Sequence, residues 1–282
     1  MKLTLKRLFR GFSAMHWAAM AFIVVLLVVS MLIEYISSVD PLAQNSTNRF
    51  LPVGSSAHIL GTDQYGRDIL ARLIYGARIE LFIAFSATVG ALILGTFIGL
   101  VGGYFGKFIG GLSMRSIDVL MTMPPLLLAM FVVTLYGAGE VTLTVALVFI
   151  FLPAFARIAY GQTLTVRAKE YVESDVLYGA SSSRILLKTI VPNIMAPIIV
   201  QFTLVIAAAI LMESGLSFLG LGVVPPAPSW GSMVAESTRF MATQPAALMT
   251  PAITVIITIL AFSLVGDGLR RSLDPRMELP HA

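Results

Sequence analysis

The chain has 282 residues, of which 57% are hydrophobic and only 12% are charged, and its formal net charge is +4. A soluble domain usually carries about 25% charged residues, so this composition excludes a soluble enzyme and a disordered chain and predicts a protein that lies in a bilayer. The absence of cysteine excludes a disulfide scaffold and a thiolate metal site, and the three histidines are too far apart in sequence to predict an imidazole cluster.

Six apolar stretches are long enough to cross a hydrocarbon core of about 30 Å, which takes about 20 helical residues. They are Trp17–Ile36, Ile79–Val101, Asp118–Tyr136, Val141–Tyr160, Pro192–Met212 and Ala246–Gly266. The first follows basic residues, as a secretory signal does. Its apolar run is longer than usual and Glu34-Tyr35-Ile36 is a poor cleavage site, so we interpret it as a retained helix. The sequence thus predicts an all-α membrane protein with six transmembrane helices.

The basic residues predict the orientation, because Lys and Arg accumulate on the cytoplasmic face of a membrane protein. If the N-terminus is inside, all Lys and Arg residues lie in inside segments except Arg49, Arg67, Arg72, Arg78 and Arg239. We therefore predict that both termini are cytoplasmic.

The acidic residues of the apolar stretches do not predict an ion or proton relay. Glu34, Asp118, Glu140, Glu213 and Asp267 fall at predicted span ends, where water or a nearby Arg would satisfy them. Arg115, three residues before Asp118, is expected to pair with it at the span entrance. We also expect Trp230, after the proline-rich segment of the second outer loop, to lie at the outer interface.

No motif of an enzyme is present. The sequence contains no G-x-x-x-x-G-K-[ST], H-E-x-x-H or G-x-S-x-G pattern, so we predict no catalytic residue and no bound cofactor or metal in this chain. Nothing in the sequence predicts a nucleic-acid partner.

The inner loop between the fourth and fifth spans is the most informative segment. Residues 166–178 have the spacing of an amphipathic helix, Gly179 is expected to end it, and Ser181 is expected to cap a second short helix over residues 182–189. Pro192 then opens the next span. The two helices could form a compact shelf in the cytoplasm, or the segment could be an ordinary loop on the headgroups.

This loop resembles the E-A-A-x-x-x-G loop of bacterial ABC importer permeases, with its downstream I-x-L-P. The residues at the corresponding positions are Glu173, Ser174, Asp175, Gly179, Ile190 and Pro192. Ser174 and Asp175 replace two alanines of the pattern, and Val191 replaces a leucine. The resemblance implies that the loop forms coupling helices that dock on an ATP-hydrolysing subunit.

Three other segments are similar to the dipeptide/oligopeptide/nickel branch of that family, and to its "C"-type subunit. They are Leu60-Gly61-Thr62-Asp63-Gln64-Tyr65-Gly66-Arg67-Asp68 with the run from Arg72 to Arg78, Leu216-Ser217-Phe218-Leu219-Gly220-Leu221-Gly222 with Pro225 to Gly231, and Gly266-Asp267 with Leu269 to Arg276. Asp63, Arg67, Asp68 and Arg72 carry charge in the first outer loop. If that segment is helical, Asp68 and Arg72 form an i,i+4 pair. The cluster could fix the shape of the loop or meet a binding protein.

The resemblance implies a type I ABC importer permease fold and a permease subunit of an ATP-driven importer in the bacterial inner membrane. Its partners would be membrane lipid, a homologous second permease subunit, one or two cytoplasmic ATPase subunits that use ATP and Mg, and an extracytoplasmic binding protein. The solutes of this branch are dipeptides, longer peptides, glutathione, nickel chelates and sugar-like or opine compounds. Glu213, Glu236 and Arg239 of the second outer loop could meet the termini of a zwitterion or be solvated.

We divide the chain at residues 78 and 270. Residues 1–78 would be the N-terminal cytoplasmic segment, the first helix and its outer loop; residues 79–270 the permease core, with coupling helices at about 166–189; and residues 271–282 a cytoplasmic tail. Two other functions are considered. A stand-alone secondary transporter or channel would need midplane charges or an inverted repeat, and a membrane scaffold would have no need of an ATPase dock.

Overall fold

The computed structural model describes residue 9, residues 11–36 and residues 39–273. Within these residues the chain is helical, with one short 3₁₀ helix (Ser46–Asn48) and nine longer helices joined by turns and loops. They are α1 (Ala14–Ile36), α2 (Ile69–Phe105), α3 (Lys107–Thr122), α4 (Pro125–Tyr136), α5 (Glu140–Arg167), α6 (Glu170–Leu177), α7 (Ser182–Phe218), α8 (Trp230–Thr238) and α9 (Pro245–Leu273). The predicted all-α class is confirmed.

Five helices are long and apolar enough to cross a membrane, namely α1, α2, α5, α7 and α9. The third predicted span is wrong as a single helix, because α3 and α4 pass the same test only as a pair and their axes differ by 87°. The bend falls at Met123, whose extended backbone is imposed by Pro124, and Pro125 has no N–H with which to continue α3. Five or six crossings therefore result, depending on whether this broken pair is one span.

Helix α2 begins earlier than its predicted span. Its 37 residues start at Ile69, because the side chain of Asp68 caps the first turn by accepting from the N–H of Ala71 at 2.7 Å. The predicted division of the chain at residue 78 would fall inside this helix. The domain limits stay a prediction, and most of the predicted tail, including the motif residues after Leu273, lies outside the described residues.

The closest helix contact joins α2 to α5. A Cβ atom added at Gly99 would meet the backbone oxygen of Ala156, and one added at Gly103 would lie 2.7 Å from Cβ of Thr163. Glycines four residues apart form one stripe of a helix and let two backbones approach, as is common between membrane helices. The helices α1, α3, α4 and α7 pack on this pair, whereas α9 packs mainly on α7, α1 and α8.

The inner loop differs from its prediction at two points. The first helix is shorter than the predicted 166–178, because α5 continues to Arg167 and α6 begins only at Glu170. The second short helix does not stop before Pro192 but continues into the span, so that α7 is unbroken from Ser182 to Phe218. Residues Ile185–Ile190 have π-helical geometry, and the N–H of Val191 bonds to the oxygen of Leu186, five residues back. Because Pro192 lacks an N–H and its ring would crowd an α-helical carbonyl, this wider turn lets the helix pass the proline.

Candidate functional site

The candidate coupling site is α6, the short helix of the inner loop. Glu170 and Glu173 stand in its first turn, where acidic side chains interact favourably with the helix dipole. Val172, on the opposite face, is only 2% exposed and packs in a core cluster with Ile185 and Ile190 of α7. The helix is thus anchored by an apolar side chain while its acidic residues remain exposed.

Gly179 ends α6 in a Schellman turn. Its N–H bonds to the oxygen of Val176 at 3.0 Å, and the N–H of Ala180 bonds to the oxygen of Asp175 at 3.0 Å. Gly179 has φ of +74°, a conformation that is strained for residues with a side chain. The position of the glycine in the loop therefore follows from the backbone geometry of this turn.

The two departures from the family loop have local partners in the structure. Asp175 accepts a hydrogen bond of 2.7 Å from the hydroxyl of Thr189 in α7, and the hydroxyl of Ser174 donates to the backbone oxygen of Glu170 at 3.0 Å. The carboxylate of Asp175 thus joins α6 to the following span, which an alanine could not do.

The predicted coupling residues differ in their exposure to solvent. Ile190 is fully buried, whereas Glu173, Ser174 and Pro192 are exposed. Sequence reasoning missed the two most exposed apolar side chains of α6, Leu177 at 81% and Tyr178 at 90%. The signal was available, because both directly precede the glycine that ends the helix.

An open groove of about 440 Å³ lies beside α6, at the inner ends of α2 and α5. Its lining includes Tyr104, Phe105, Arg167, Lys169 and Glu173. The guanidinium of Arg167 lies 5.8 Å from the ring centre of Tyr104. The groove presents aromatic and charged groups together, a composition suited to protein contact.

The charged residues of the first outer loop are brought together, but as a buried cluster. Nε of Arg67 lies 2.6 Å from Oδ2 of Asp63, and its Nη2 lies 2.6 Å from Oε2 of Glu236 in α8. Arg72 is 1% exposed and reaches the same two carboxylates at 3.7 and 3.5 Å. Glu236, which sequence reasoning left either solvated or at a solute, therefore connects the two outer loops.

The predicted i,i+4 pair between Asp68 and Arg72 is absent from the described ion pairs. The carboxylate of Asp68 instead caps α2 and lies 2.7 Å from Nδ1 of His58. An N-cap residue precedes the helix, so its side chain turns toward the first backbone amides and away from the residue four positions later.

Trp230 does not lie at an interface with lipid headgroups. It is fully buried, and its indole N–H donates to the backbone oxygen of Leu73 at 2.9 Å. The proline-rich segment before it folds back over α2, and this long-range contact carried no signal in the local sequence.

Two charge predictions within the spans are also wrong. Asp118 pairs with Arg157 of α5 at 2.7 Å, and not with Arg115, because α3 lies along α5. Glu213 is fully buried, and so is Glu80, which sequence reasoning did not consider. The early start of α2 accounts for the omission, since it places Glu80 well inside a helix whose predicted first residue was Ile79.

A family model described as "Binding-protein-dependent transport system inner membrane component" matches residues 71–279. The chain belongs to this family. It is similar to the dipeptide transport system permease protein DppC of Haemophilus influenzae, with 37% identity over 91% of this chain and 89% of the relative. DppC of Alkalihalophilus pseudofirmus is 39% identical over 83% of this chain and 77% of the relative. The glutathione transport system permease protein GsiD of Pectobacterium atrosepticum is 36% identical over 97% of this chain and 91% of the relative.

The fold is also shared with a chain of the MetNI methionine ABC transporter in an inward-facing conformation. The TM-score is 0.60 at 16% identity, and the match covers 73% of this chain and 98% of that chain. The predicted family and fold are confirmed. This protein is a permease subunit of an ABC importer and an integral membrane protein.

Proposed function

We propose that this subunit forms half of the pathway of a peptide importer in the bacterial inner membrane, with both termini in the cytoplasm. A homologous permease subunit forms the other half, and an extracytoplasmic binding protein delivers the solute. One or two cytoplasmic ATPase subunits hydrolyse ATP with Mg, while this chain performs no chemistry. The family and its curated relatives support this assembly.

The observation that carries the proposal is the exposed apolar end of α6. Leu177 and Tyr178 are 81% and 90% exposed, next to the turn at Gly179. Large apolar side chains that project into water together are typical anchors of a protein interface. We assign them to the contact with an ATPase subunit, with Glu173 and Ser174 beside them on the same short helix.

A force applied to this surface is transmitted to the spans through direct side-chain contacts and a continuous helix. Val172 anchors α6 in the core, and Asp175 holds Thr189 of α7. Ile190 is buried, and the helix passes Pro192 without a break. A movement of the ATPase subunits is therefore transmitted to α7 as a rigid-body shift.

The outer charged cluster has an indirect role in docking. Asp63, Arg67, Asp68 and Arg72 are each at most 9% exposed, so they are poorly placed to touch another protein. Arg67 and Arg72, together with Asp63, hold the first outer loop against α8 through Glu236, whereas Asp68 caps α2. We propose that the binding protein contacts the exposed surface of this loop. The buried charges maintain the shape of that surface.

The proposed solute is a small peptide. The relatives at 36–40% identity carry the names of dipeptide, di/tripeptide and glutathione permeases, and all of these solutes contain amino-acid units. Identification of the ligand bound to the cognate binding protein tests this part alone. A sugar-like or opine ligand there would contradict the peptide assignment and leave the importer assignment intact.

The test of the coupling surface is the double substitution Leu177→Ala/Tyr178→Ala in a tagged chain expressed with its partner subunits. Recovery of the ATPase subunits with the tagged chain should fall about tenfold or more, since anchors of an interface contribute about 2 kcal/mol or more each. The matched control is Tyr136→Ala, because Tyr136 is 76% exposed at the end of α4. Full ATPase recovery with the double variant would contradict the assignment of α6.

A further inference from the structure

Two fully buried glutamates meet where the second half of α7 packs on α2. Glu80 belongs to α2 and Glu213 to α7, and each is 0% exposed. The hydroxyl of Ser214 donates to Oε1 of Glu80, and the hydroxyl of Ser217 donates to Oε1 of Glu213 at 2.7 Å. One oxygen of each carboxyl group is therefore satisfied by a serine of α7.

The second oxygen of each group has no donor. Oε2 of Glu80 and Oε2 of Glu213 are both buried without a hydrogen-bond partner, and Ser214, whose hydroxyl binds Glu80, directly follows Glu213 in α7. Neither forms an ion pair with a basic side chain of the described residues. The other groups that face the pair are the backbone N–H of Trp230 at the start of α8 and the carboxylate of Glu140 at the start of α5.

Two ionised carboxylates in this position would repel each other in a region of low dielectric constant, and no basic side chain in the described part of the chain pairs with them to offset the repulsion. Each would also keep an unsatisfied acceptor, which native structures rarely tolerate. A single proton removes both problems. The protonated carboxyl group becomes a donor, and the free oxygen of its neighbour becomes the acceptor.

We propose that Glu80 and Glu213 form a binding site for one proton, which they share and which joins α2 to α7 beneath α8. A resident metal cation fits the same oxygens less well. Calcium takes six to eight oxygen ligands and magnesium six, and here only two oxygens are free while both serine hydroxyls already donate to the carboxylates.

The site has a mechanical consequence for the outer end of the subunit. The indole of Trp230 bonds to α2 at Leu73, seven residues before Glu80, and α8 also carries Glu236, which binds the first outer loop. Loss of the shared proton would leave two like charges between α2 and α7. Their repulsion would weaken the packing of α8 on these helices. The contribution of the pair to stability is thus present while the proton is bound and is lost as the pH rises.

The test is infrared spectroscopy of the purified complex at neutral pH, which detects the carbonyl stretch of a protonated carboxyl group. We expect this band in the wild-type complex and its loss in the double variant Glu80→Gln/Glu213→Gln. Gln keeps the shape of the side chain and supplies its own N–H donors. The matched control is Glu140→Gln, which changes an exposed carboxylate nearby and should leave the band unchanged.

Thermal unfolding provides the second measurement. The Tm of the wild-type complex should fall as the pH is raised, and this fall should be absent from the double variant. A wild-type complex without the band would overturn the proposal even if the variant fails to fold. If its stability then depended on the concentration of Na⁺ or Mg²⁺, the pair would be a cation site.

Discussion

The two ends of this subunit, which are called outer and inner after the predicted orientation, differ in the environment of their charged residues. At the outer end, Asp63, Arg67 and Arg72 are 6%, 4% and 1% exposed and are joined in one network with Glu236. At the inner end, Glu170 and Glu173 of α6 are exposed and form no ion pair among the described residues.

This difference indicates which end is complete within the chain. A buried charge must be paired by its own protein, because leaving it alone in a region of low dielectric constant is costly. An exposed charge is satisfied by water and remains available for another protein. The charges of the outer loop are therefore satisfied within the chain, whereas α6 presents exposed charges at the surface that we propose as the ATPase contact.

The largest expected effect breaks the outer network. Arg67→Ala removes the guanidinium that joins Asp63 to Glu236, so it leaves the buried Asp63 without its closest cation. We expect a loss of about 3–5 kcal/mol in the free energy of unfolding. Chemical unfolding of the purified complex measures it. The control is Arg239→Ala, which changes an exposed arginine of the same outer region and should alter stability by less than about 0.5 kcal/mol. Equal effects would refute the contrast between the two ends.

An intermediate effect is expected at the inner end. Gly179→Ala places a side chain at φ of +74°, which costs about 1–2 kcal/mol and distorts the turn that supports Leu177 and Tyr178. Solute uptake per ATP hydrolysed should fall while the protein remains in the membrane, as measured in proteoliposomes. Gly161→Ala is the control, since a Cβ atom there has open space and Gly161 lies inside α5. Unchanged coupling in the Gly179 variant would show that the turn does not transmit the movement.

The weakest effect is expected for an exposed ion pair, which serves as a contrast to the buried network of the outer loop. Asp118 and Arg157 are 58% and 52% exposed, so their pair at 2.7 Å should contribute less than about 1 kcal/mol to stability. A double-mutant cycle with Asp118→Asn and Arg157→Gln in the assembled complex measures the coupling. A coupling as large as that of Arg67 with Asp63 would mean that the partner subunits bury this pair.

Most spans and the turn of the coupling loop could be predicted because their signals are local. Apolar runs of sufficient length identify membrane helices, and Gly179 marks the end of α6 because one residue adopts one backbone conformation. The broken third span was missed, although Pro124 and Pro125 are adjacent in the sequence. Prolines are tolerated in membrane helices, so composition alone does not separate a kink from a bend of 87°.

The contacts of the charged and aromatic residues could not be predicted in the same way. Glu236 lies 169 residues from Arg67 along the chain, and Trp230 lies 157 residues from Leu73. Partners this distant are chosen by the packing of whole helices, which the local pattern does not specify. The local expectations for Trp230, Glu213 and Asp68 were therefore wrong.

The helical, membrane-embedded class and the importer family are recognisable from the amino-acid sequence, because hydrophobicity and motif spacing are properties of neighbouring residues. Which charges are buried and which remain exposed is visible only in the folded chain. Burial depends on where separate helices meet, and the meeting of α2, α7 and α8 turns isolated acidic and basic residues into one network and one pair of carboxyl groups.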